Sequence, residues 1–127
     1  MLSSETCQAL RLLPEVAAHV PQPHETWWLY WGRPGQWVPI HWCEPSAPAV
    51  VGFEDAPLAA MWCPGLEDLL AMAQAHADCV HLRRHAPSPD GQRVGWGCED
   101  CANEAIGVAF GDTPEEAVAS FLIRSAG

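Results

Sequence analysis

The stretch TWWLYWGRPGQWVPIHW, residues 26 to 42, decides the fold of this 127-residue chain. It holds five of the seven tryptophans, in two aromatic runs on either side of GRPGQ. Pro34 and Gly35 favour a tight turn between the runs, and aromatic residues are enriched in strands. The stretch therefore predicts a β-hairpin whose turn centres on Pro34 and Gly35.

Side chains alternate between the two faces of such a hairpin. The predicted pairs are Trp31 with Val38, Leu29 with Ile40, and Trp27 with Trp42. This face is wholly apolar and is expected to lie in the core.

The opposite face carries apolar bodies with polar tips, namely Trp28, Tyr30, Trp37, Pro39 and His41. Two interpretations remain open for it. Helices on both sides of the sheet would make these aromatics a second core layer, with their polar tips bonded at its margin. Helices on one side only would leave a recognition surface, because Trp and Tyr dominate binding hot spots. On that interpretation the contact residues are Trp28, Tyr30, Trp37 and His41.

Three helices are predicted around the hairpin. The first, SSETCQALRLL at residues 3 to 13, has Ser and Thr as N-cap candidates and is kinked or ended by Pro14. The second, CPGLEDLLAMAQAHAD at 63 to 78, has Pro64 at a first helical position. The third lies in GDTPEEAVASFLIRSAG at 111 to 127, where Thr113 caps and Pro114 begins the helix.

The remaining segments predict strands. Two short pieces are expected at 49–53 and 58–62, followed by three more in CVHLRRH at 79 to 85, QRVGWG at 92 to 97 and EAIGVAFG at 104 to 111. The order is α-ββ(β)-α-βββ-α, so we expect an α+β fold with a mainly antiparallel sheet and three helices packed on it. A chain of this length predicts one domain over residues 1–127.

Charge excludes several functions. The formal net charge is −10, from 16 acids against six arginines and no lysine. Such a surface repels phosphates, so direct binding of nucleic acid or of an acidic membrane is not expected. No apolar run approaches the roughly eighteen residues of a membrane span. We therefore expect a soluble cytoplasmic protein.

Six cysteines are many for such a chain. The motif CEDC, Cys98-x-x-Cys101, lies between two predicted strands, and a turn of that kind supplies two zinc ligands. Cys79 and His81 are the best second pair, with His85 behind them. The predicted zinc site is thus Cys79, His81, Cys98 and Cys101; free thiols or a reversible disulfide are the alternatives.

Catalytic patterns are weak. No spacing brings a nucleophile, a base and an oxyanion donor together, and glycine-rich phosphate loops and H-E-x-x-H are absent from the sequence. The chain is therefore expected to be non-enzymatic and to need no cofactor apart from the zinc alternative. A small enzyme of unidentified chemistry remains the least favoured hypothesis.

Acidic residues recur in pairs. Glu67-Asp68 and Glu115-Glu116 lie in first helical turns, where the helix dipole favours them. Glu99-Asp100 lies in a predicted turn and is a candidate electrostatic second site. Such a patch would attract a basic, nucleic-acid-handling protein.

The segments MWCPGLEDLLAMAQAH, GWG and GDTPEEAVASFLI, within residues 61 to 123, resemble small phage-encoded α/β/α sandwich proteins. In these a helix, a Trp-bearing strand and a closing G-x-T-P-x-E-A helix follow one another. The closing helix is also similar to that of HicB-type antitoxin domains. The resemblance covers about the last seventy residues and implies a compact fold but no known chemistry.

Together these observations favour a non-enzymatic acidic binding protein that contacts another protein. The resemblance implies an inhibitor or regulator carried by a phage or mobile element. A zinc-stabilised adaptor is the first alternative. A homodimer formed through the aromatic face is also compatible with the pattern.

Overall fold

The computed structural model describes residues 1–31, 35–41, 59–86, 89–90 and 95–126. These residues form four helices and two antiparallel three-stranded sheets, which confirms the α+β class. The chain divides into two compact units, residues 1–64 and 65–127. The single domain over residues 1–127 stays a prediction.

The first unit contains two helices and three strands. They are α1 (Ser4–Leu10), α2 (Pro14–Ala17), β1 (Thr26–Trp31), β2 (Gln36–His41) and β3 (Ala59–Cys63). The strand order in its sheet is β2-β1-β3. The predicted strand at 49–53 and Trp42 lie outside the described residues.

The N-terminal helices begin where their capping residues predict. The Ser3 hydroxyl accepts a hydrogen bond from the Thr6 N–H at 3.2 Å, which satisfies one of the donors left open at the start of α1. Pro14 occupies the first turn of α2, where its missing N–H costs nothing. Helix α1 ends at Leu10, before the predicted end at residue 13, and Pro14 begins a separate short helix.

The hairpin forms, but its register differs from the predicted one by two residues. Trp27 pairs with Ile40, Leu29 with Val38, and Trp31 with Gln36. Strand β2 begins at Gln36, directly after Gly35, which has a left-handed conformation (φ 78°). A shift of two residues leaves Trp27, Leu29, Val38 and Ile40 on one shared face, as predicted, since the alternation has a period of two.

The apolar face of the hairpin lies in the core along β1, as predicted, and is half-buried at Val38 and Ile40 of β2. Trp27 and Leu29 are buried, and Trp62 joins them from the neighbouring position on β3. The His19 ring stacks on Trp62 at a centroid distance of 3.5 Å and lies 2.6 Å from a Glu25 carboxylate oxygen.

The opposite face is covered at β3. Met61 and Cys63 are buried there, and Sγ of Cys63 lies 3.8 Å from the carbonyl oxygen of Leu2. The indole N–H of Trp28 donates to the same carbonyl at 3.3 Å. The N-terminal segment, through Leu2 and His19, thus contacts both faces of the sheet.

The second unit contains two helices and three strands. They are α3 (Leu66–His76), β4 (Val80–Arg84), β5 (Trp96–Asp100), β6 (Ala109–Gly111) and α4 (Pro114–Ala126). The strand order is β4-β5-β6, with both pairs antiparallel. Helix α4 packs on this sheet and on α3.

Local chemistry explains both helix starts. The Asp68 carboxylate accepts the Gly65 N–H at 3.2 Å, so α3 begins after Gly65 and Pro64 lies outside it. The Thr113 hydroxyl accepts the Glu116 N–H at 3.2 Å, which caps α4 as predicted. The buried residues of the unit include Leu69, Ala73, Cys98, Ala109, Val118, Phe121 and Leu122.

Among the described residues, no helix has both the length and the apolar character that crossing a bilayer requires.

Candidate metal centre

Strands β4 and β5 place four chemically active side chains on one face of their ladder. His81 lies directly opposite Glu99. One step beyond, the Cys101 N–H donates to the Cys79 carbonyl at 2.9 Å, which extends the pairing to the two cysteines. Because residues i and i+2 of a strand share a face, Cys79 and His81 stand beside Cys101 and Glu99.

Three of these side chains converge. The Sγ atoms of Cys79 and Cys101 and a ring nitrogen of His81 all lie within 4.8 Å of one another. In a tetrahedral zinc site with Zn–S near 2.3 Å and Zn–N near 2.0 Å, ligand atoms lie about 3.5 Å apart. Small side-chain rotations would close that gap, since Cys101 and His81 are exposed.

Asp100 holds the backbone that carries both cysteines. Its carboxylate oxygen Oδ1 accepts the Cys79 N–H at 3.2 Å and the Ala102 N–H at 3.0 Å. The Asp100 side chain is nearly sealed from solvent, at 6% exposed. A buried acceptor with two backbone donors fixes the turn after β5 against the start of β4.

Cys98 is not brought to this cluster. Cys98 through Asp100 belong to β5, where the sequence predicts a turn. Residues three apart on a strand face opposite sides, so Cys98 points away from Cys101. Cys98 is fully buried, opposite Leu82 and Ala109. The structure therefore unites three of the four predicted ligands and leaves the fourth in the core.

His85 also lies apart from the three converging ligands. Its ring packs edge-on against Phe110 at 5.5 Å and lies over Gly97, where a Cβ would come within 2.7 Å of the ring nitrogen Nε2. Gly97 is thus the position that lets the imidazole approach the sheet.

The Arg83 guanidinium contacts one side chain on β4, His81, and one on β5, Glu99. Its Nη2 atom lies 3.4 Å from Nδ1 of His81 and 3.4 Å from Oε1 of Glu99. Both contacts are long, and the Arg83 side chain is 59% exposed. Ion pairs of this kind contribute little to stability and exchange readily.

The two cysteines of the CEDC motif have raised pKa values. Burial raises the pKa of the Cys98 thiol to about 11, with a smaller contribution from the Glu99 charge. The pKa of Cys101 is raised by desolvation and then by its hydrogen bond to the Cys79 thiol. A metal that binds Cys101 must therefore displace a proton.

A cleft of about 380 Å³ opens beside the cluster. Cys101, Glu99, Glu104 and Val108 contribute to its lining. The cluster is therefore accessible to ions from solvent.

The predicted recognition surface lies on the first unit. The Tyr30 and Trp37 rings pack together at a centroid distance of 5.2 Å and are both half-buried, while His41 is exposed. Trp28 differs, since its indole N–H is bonded to Leu2 and its ring is half-buried. Tyr30, Trp37 and His41 thus share an accessible face, and Trp28 is engaged with the N-terminal segment.

Glu99 and Asp100, the predicted electrostatic second site, have different environments in the structure. Asp100 is buried and its carboxylate accepts hydrogen bonds from two backbone N–H groups, so its charge does not face solvent. Glu99 is half-buried and paired with Arg83. The Glu99-Asp100 pair therefore does not present two charges on one surface.

Comparisons with protein-family models, curated proteins and solved structures found no match to this chain. The likeness to phage sandwich proteins and HicB-type domains stays a prediction.

Sequence reasoning names Glu99 and Asp100 as an electrostatic site and misses their relation to the cysteine-histidine cluster. Glu99 lies on the same face as the cluster, and Asp100 bonds to its backbone. The alternation of side chains along CEDC could have indicated these positions. If β5 continues through the motif, Glu99 and Cys101 share one face of the strand and Asp100 lies on the other.

Proposed function

We propose that this chain is a metal-binding protein that holds one zinc-type ion through Cys79, His81 and Cys101. The observation that carries the proposal is the convergence of two thiols and an imidazole within 4.8 Å on adjacent strands. This corresponds to the zinc-stabilised adaptor among the sequence hypotheses.

The donor set selects the class of metal. Thiolate and imidazole ligands favour zinc and related transition metals over magnesium or calcium, which prefer oxygen. Two thiolates and a neutral imidazole balance the charge of a divalent ion. A cytoplasmic location, which we also propose, would keep both thiols reduced and available.

The fold supports a stabilising role for the metal. Cys79 precedes β4 and Cys101 follows β5, so a bound ion would tie the two strands together where their ladder ends. We therefore propose a non-enzymatic regulator or adaptor whose fold the metal stabilises.

Zinc affinity and stoichiometry, measured by competition with a chromophoric chelator, test the proposal. The wild-type protein is expected to bind one equivalent, and Cys79→Ser and Cys101→Ser are each expected to weaken binding by at least about 100-fold. Cys98→Ala is the matched control and should keep the site, because Cys98 lies on the other face. Zinc binding that needs Cys98 but not Cys101 would refute the proposal.

A second function, recognition of a protein partner, is favoured by the surface of Tyr30, Trp37, Pro39 and His41. Pro39 and His41 are exposed beside the packed pair of aromatic rings. Aromatic side chains of this kind provide most of the energy at protein interfaces. The charge of −10 favours a basic partner, including one that handles nucleic acid, and the phage-like resemblance suggests an inhibitor or regulator.

Affinity capture from the source cells tests this second function. A basic partner retained by the wild type should be lost with Trp37→Ser and with added salt. Val20→Ser is the matched control, since Val20 is an exposed apolar residue outside the surface, at 67%. Equal capture by the wild type and Trp37→Ser would reject the surface. Self-association abolished by Trp37→Ser would instead indicate a homodimer.

A further inference from the structure

We infer that Glu99 completes the metal site as its fourth ligand, which makes the centre a closed site of two cysteines, one histidine and one glutamate. The inference rests on the proposed function, because it concerns the coordination of the same ion.

The register of the ladder carries the inference. His81 and Glu99 are directly opposite each other, and Cys79 and Cys101 are the next pair on the same face. Cross-strand neighbours have Cβ atoms about 5 Å apart. These two pairs therefore form a rectangle of four neighbouring positions on one face of the sheet, two from each strand.

The present partner of Glu99 can release it. The contact from Glu99 Oε1 to Arg83 Nη2 is 3.4 Å long, and Glu99 retains 29% exposure. The same Arg83 nitrogen lies 3.4 Å from His81, so the carboxylate already lies on the side of β5 that faces the imidazole. The Glu99 carboxylate lies outside the group of atoms within 4.8 Å of one another, so ligation requires rotation of its flexible side chain toward the other three ligands.

The charge of the surroundings is compatible with ligation by Glu99. A divalent ion with two thiolates, an imidazole and a carboxylate carries one net negative charge. The Arg83 guanidinium lies 3.4 Å from the Glu99 carboxylate at the same edge and offsets that charge.

The fourth ligand decides what the metal can do. Structural zinc sites are four-coordinate and closed, while catalytic sites keep one position for water or substrate. Ligation by Glu99 closes the site and favours a metal that stabilises the strands over one that activates water.

Cobalt(II) absorption spectroscopy tests the inference. The wild type should take up one equivalent of Co²⁺ with thiolate charge-transfer bands and the intense d–d bands of four-coordinate cobalt. Added azide should leave that spectrum unchanged. Glu99→Gln should bind Co²⁺ at least about tenfold more weakly and should respond to azide through its opened position.

Glu104→Gln is the control, because Glu104 lines the same cleft but lies outside the rectangle. Wild-type spectra that shift with azide, or equal affinity and spectra for wild type and Glu99→Gln, would overturn the fourth ligand while leaving the three-ligand site in place. A wild-type protein without thiolate-to-cobalt bands would overturn the proposed function itself.

Discussion

Asp100 shows at the scale of one residue how a buried carboxylate supports a site that it does not join. Substitution by alanine removes the acceptor of the Cys79 and Ala102 N–H groups. Because these donors then lack a partner, Asp100→Ala is expected to lower the free energy of unfolding by about 1–3 kcal/mol and to weaken zinc binding by about 10-fold or more.

Denaturant titration and zinc competition measure both effects. Asp100→Asn keeps one carbonyl acceptor and should retain most of the stability. Glu104→Ala, an exposed acid nearby, should change neither quantity. Equal behaviour of Asp100→Ala and Glu104→Ala would contradict the positioning role of Asp100.

Cys63 provides a prediction about pH. A hydrogen bond from the Cys7 thiol lowers the pKa of Cys63 from 9.0 to about 7, against the effect of burial. Between pH 7 and 9 the unfolded thiol therefore binds more protons than the folded one, so stability rises with pH and is lost as pH falls through 7.

Unfolding free energies of the wild type and Cys63→Ala at several pH values test this effect. The difference between them should grow by up to about 1.4 kcal/mol per pH unit between pH 7 and 9. Titrating groups that do not contact Cys63 cancel in that difference. A difference that is constant across the range would contradict the lowered pKa.

Single-residue chemistry was only partly readable from sequence. Cys79, His81 and Cys101 could be chosen from residue type and proximity to predicted strands. A turn at CEDC would bring Cys98 to the same site, but β5 continues through Asp100, so Cys98 lies on the other face of the strand. Motif spacing identifies metal ligands only when the local backbone conformation is known. The same residues direct their side chains differently in a strand than in a turn.

At the scale of elements, helix starts were the most predictable features. Thr113 caps α4 through a hydrogen bond from the Glu116 N–H. Thr113→Ala should therefore lower the free energy of unfolding by about 1 kcal/mol, and Thr113→Ser should preserve most of it. Urea titrations of both variants check the prediction, which fails if serine is no better than alanine.

Strand pairing was less predictable than helix capping. The faces of the hairpin follow from alternation alone, so Trp27 and Leu29 were correctly expected in the core. The register depends on where the connection between the strands is centred, and it differs from the predicted register by two residues. Coverage of the face that carries Trp28 depends on where Leu2 packs. Leu2 is 26 residues away along the chain, and no local sequence pattern predicts that contact.

At the scale of the whole molecule, a bound ion should act as a stabilising ligand. An ion that binds the folded state and not the unfolded chain raises the free energy of unfolding by about 2.7 kcal/mol at a concentration 100 times its Kd. We expect this increase in the wild type and its absence in Cys101→Ser. Denaturant titrations with and without zinc measure it; equal gains in both proteins would point to binding elsewhere.

The α+β class followed from the order of periodic segments, because hairpin-connected strands form antiparallel sheets. Division of the six strands into two sheets, within residues 1–64 and 65–127, did not follow from that order. The pairing of β1 with β3 depends on contacts between distant residues, such as Trp27 with Trp62.

Zinc K-edge X-ray absorption of the protein loaded with one equivalent of zinc tests the metal site most directly. The structure predicts two sulfur ligands at about 2.3 Å and two nitrogen or oxygen ligands at about 2.0–2.1 Å. A first shell without sulfur, or sulfur ligation that survives when Cys79 and Cys101 are both replaced by serine, would contradict the account.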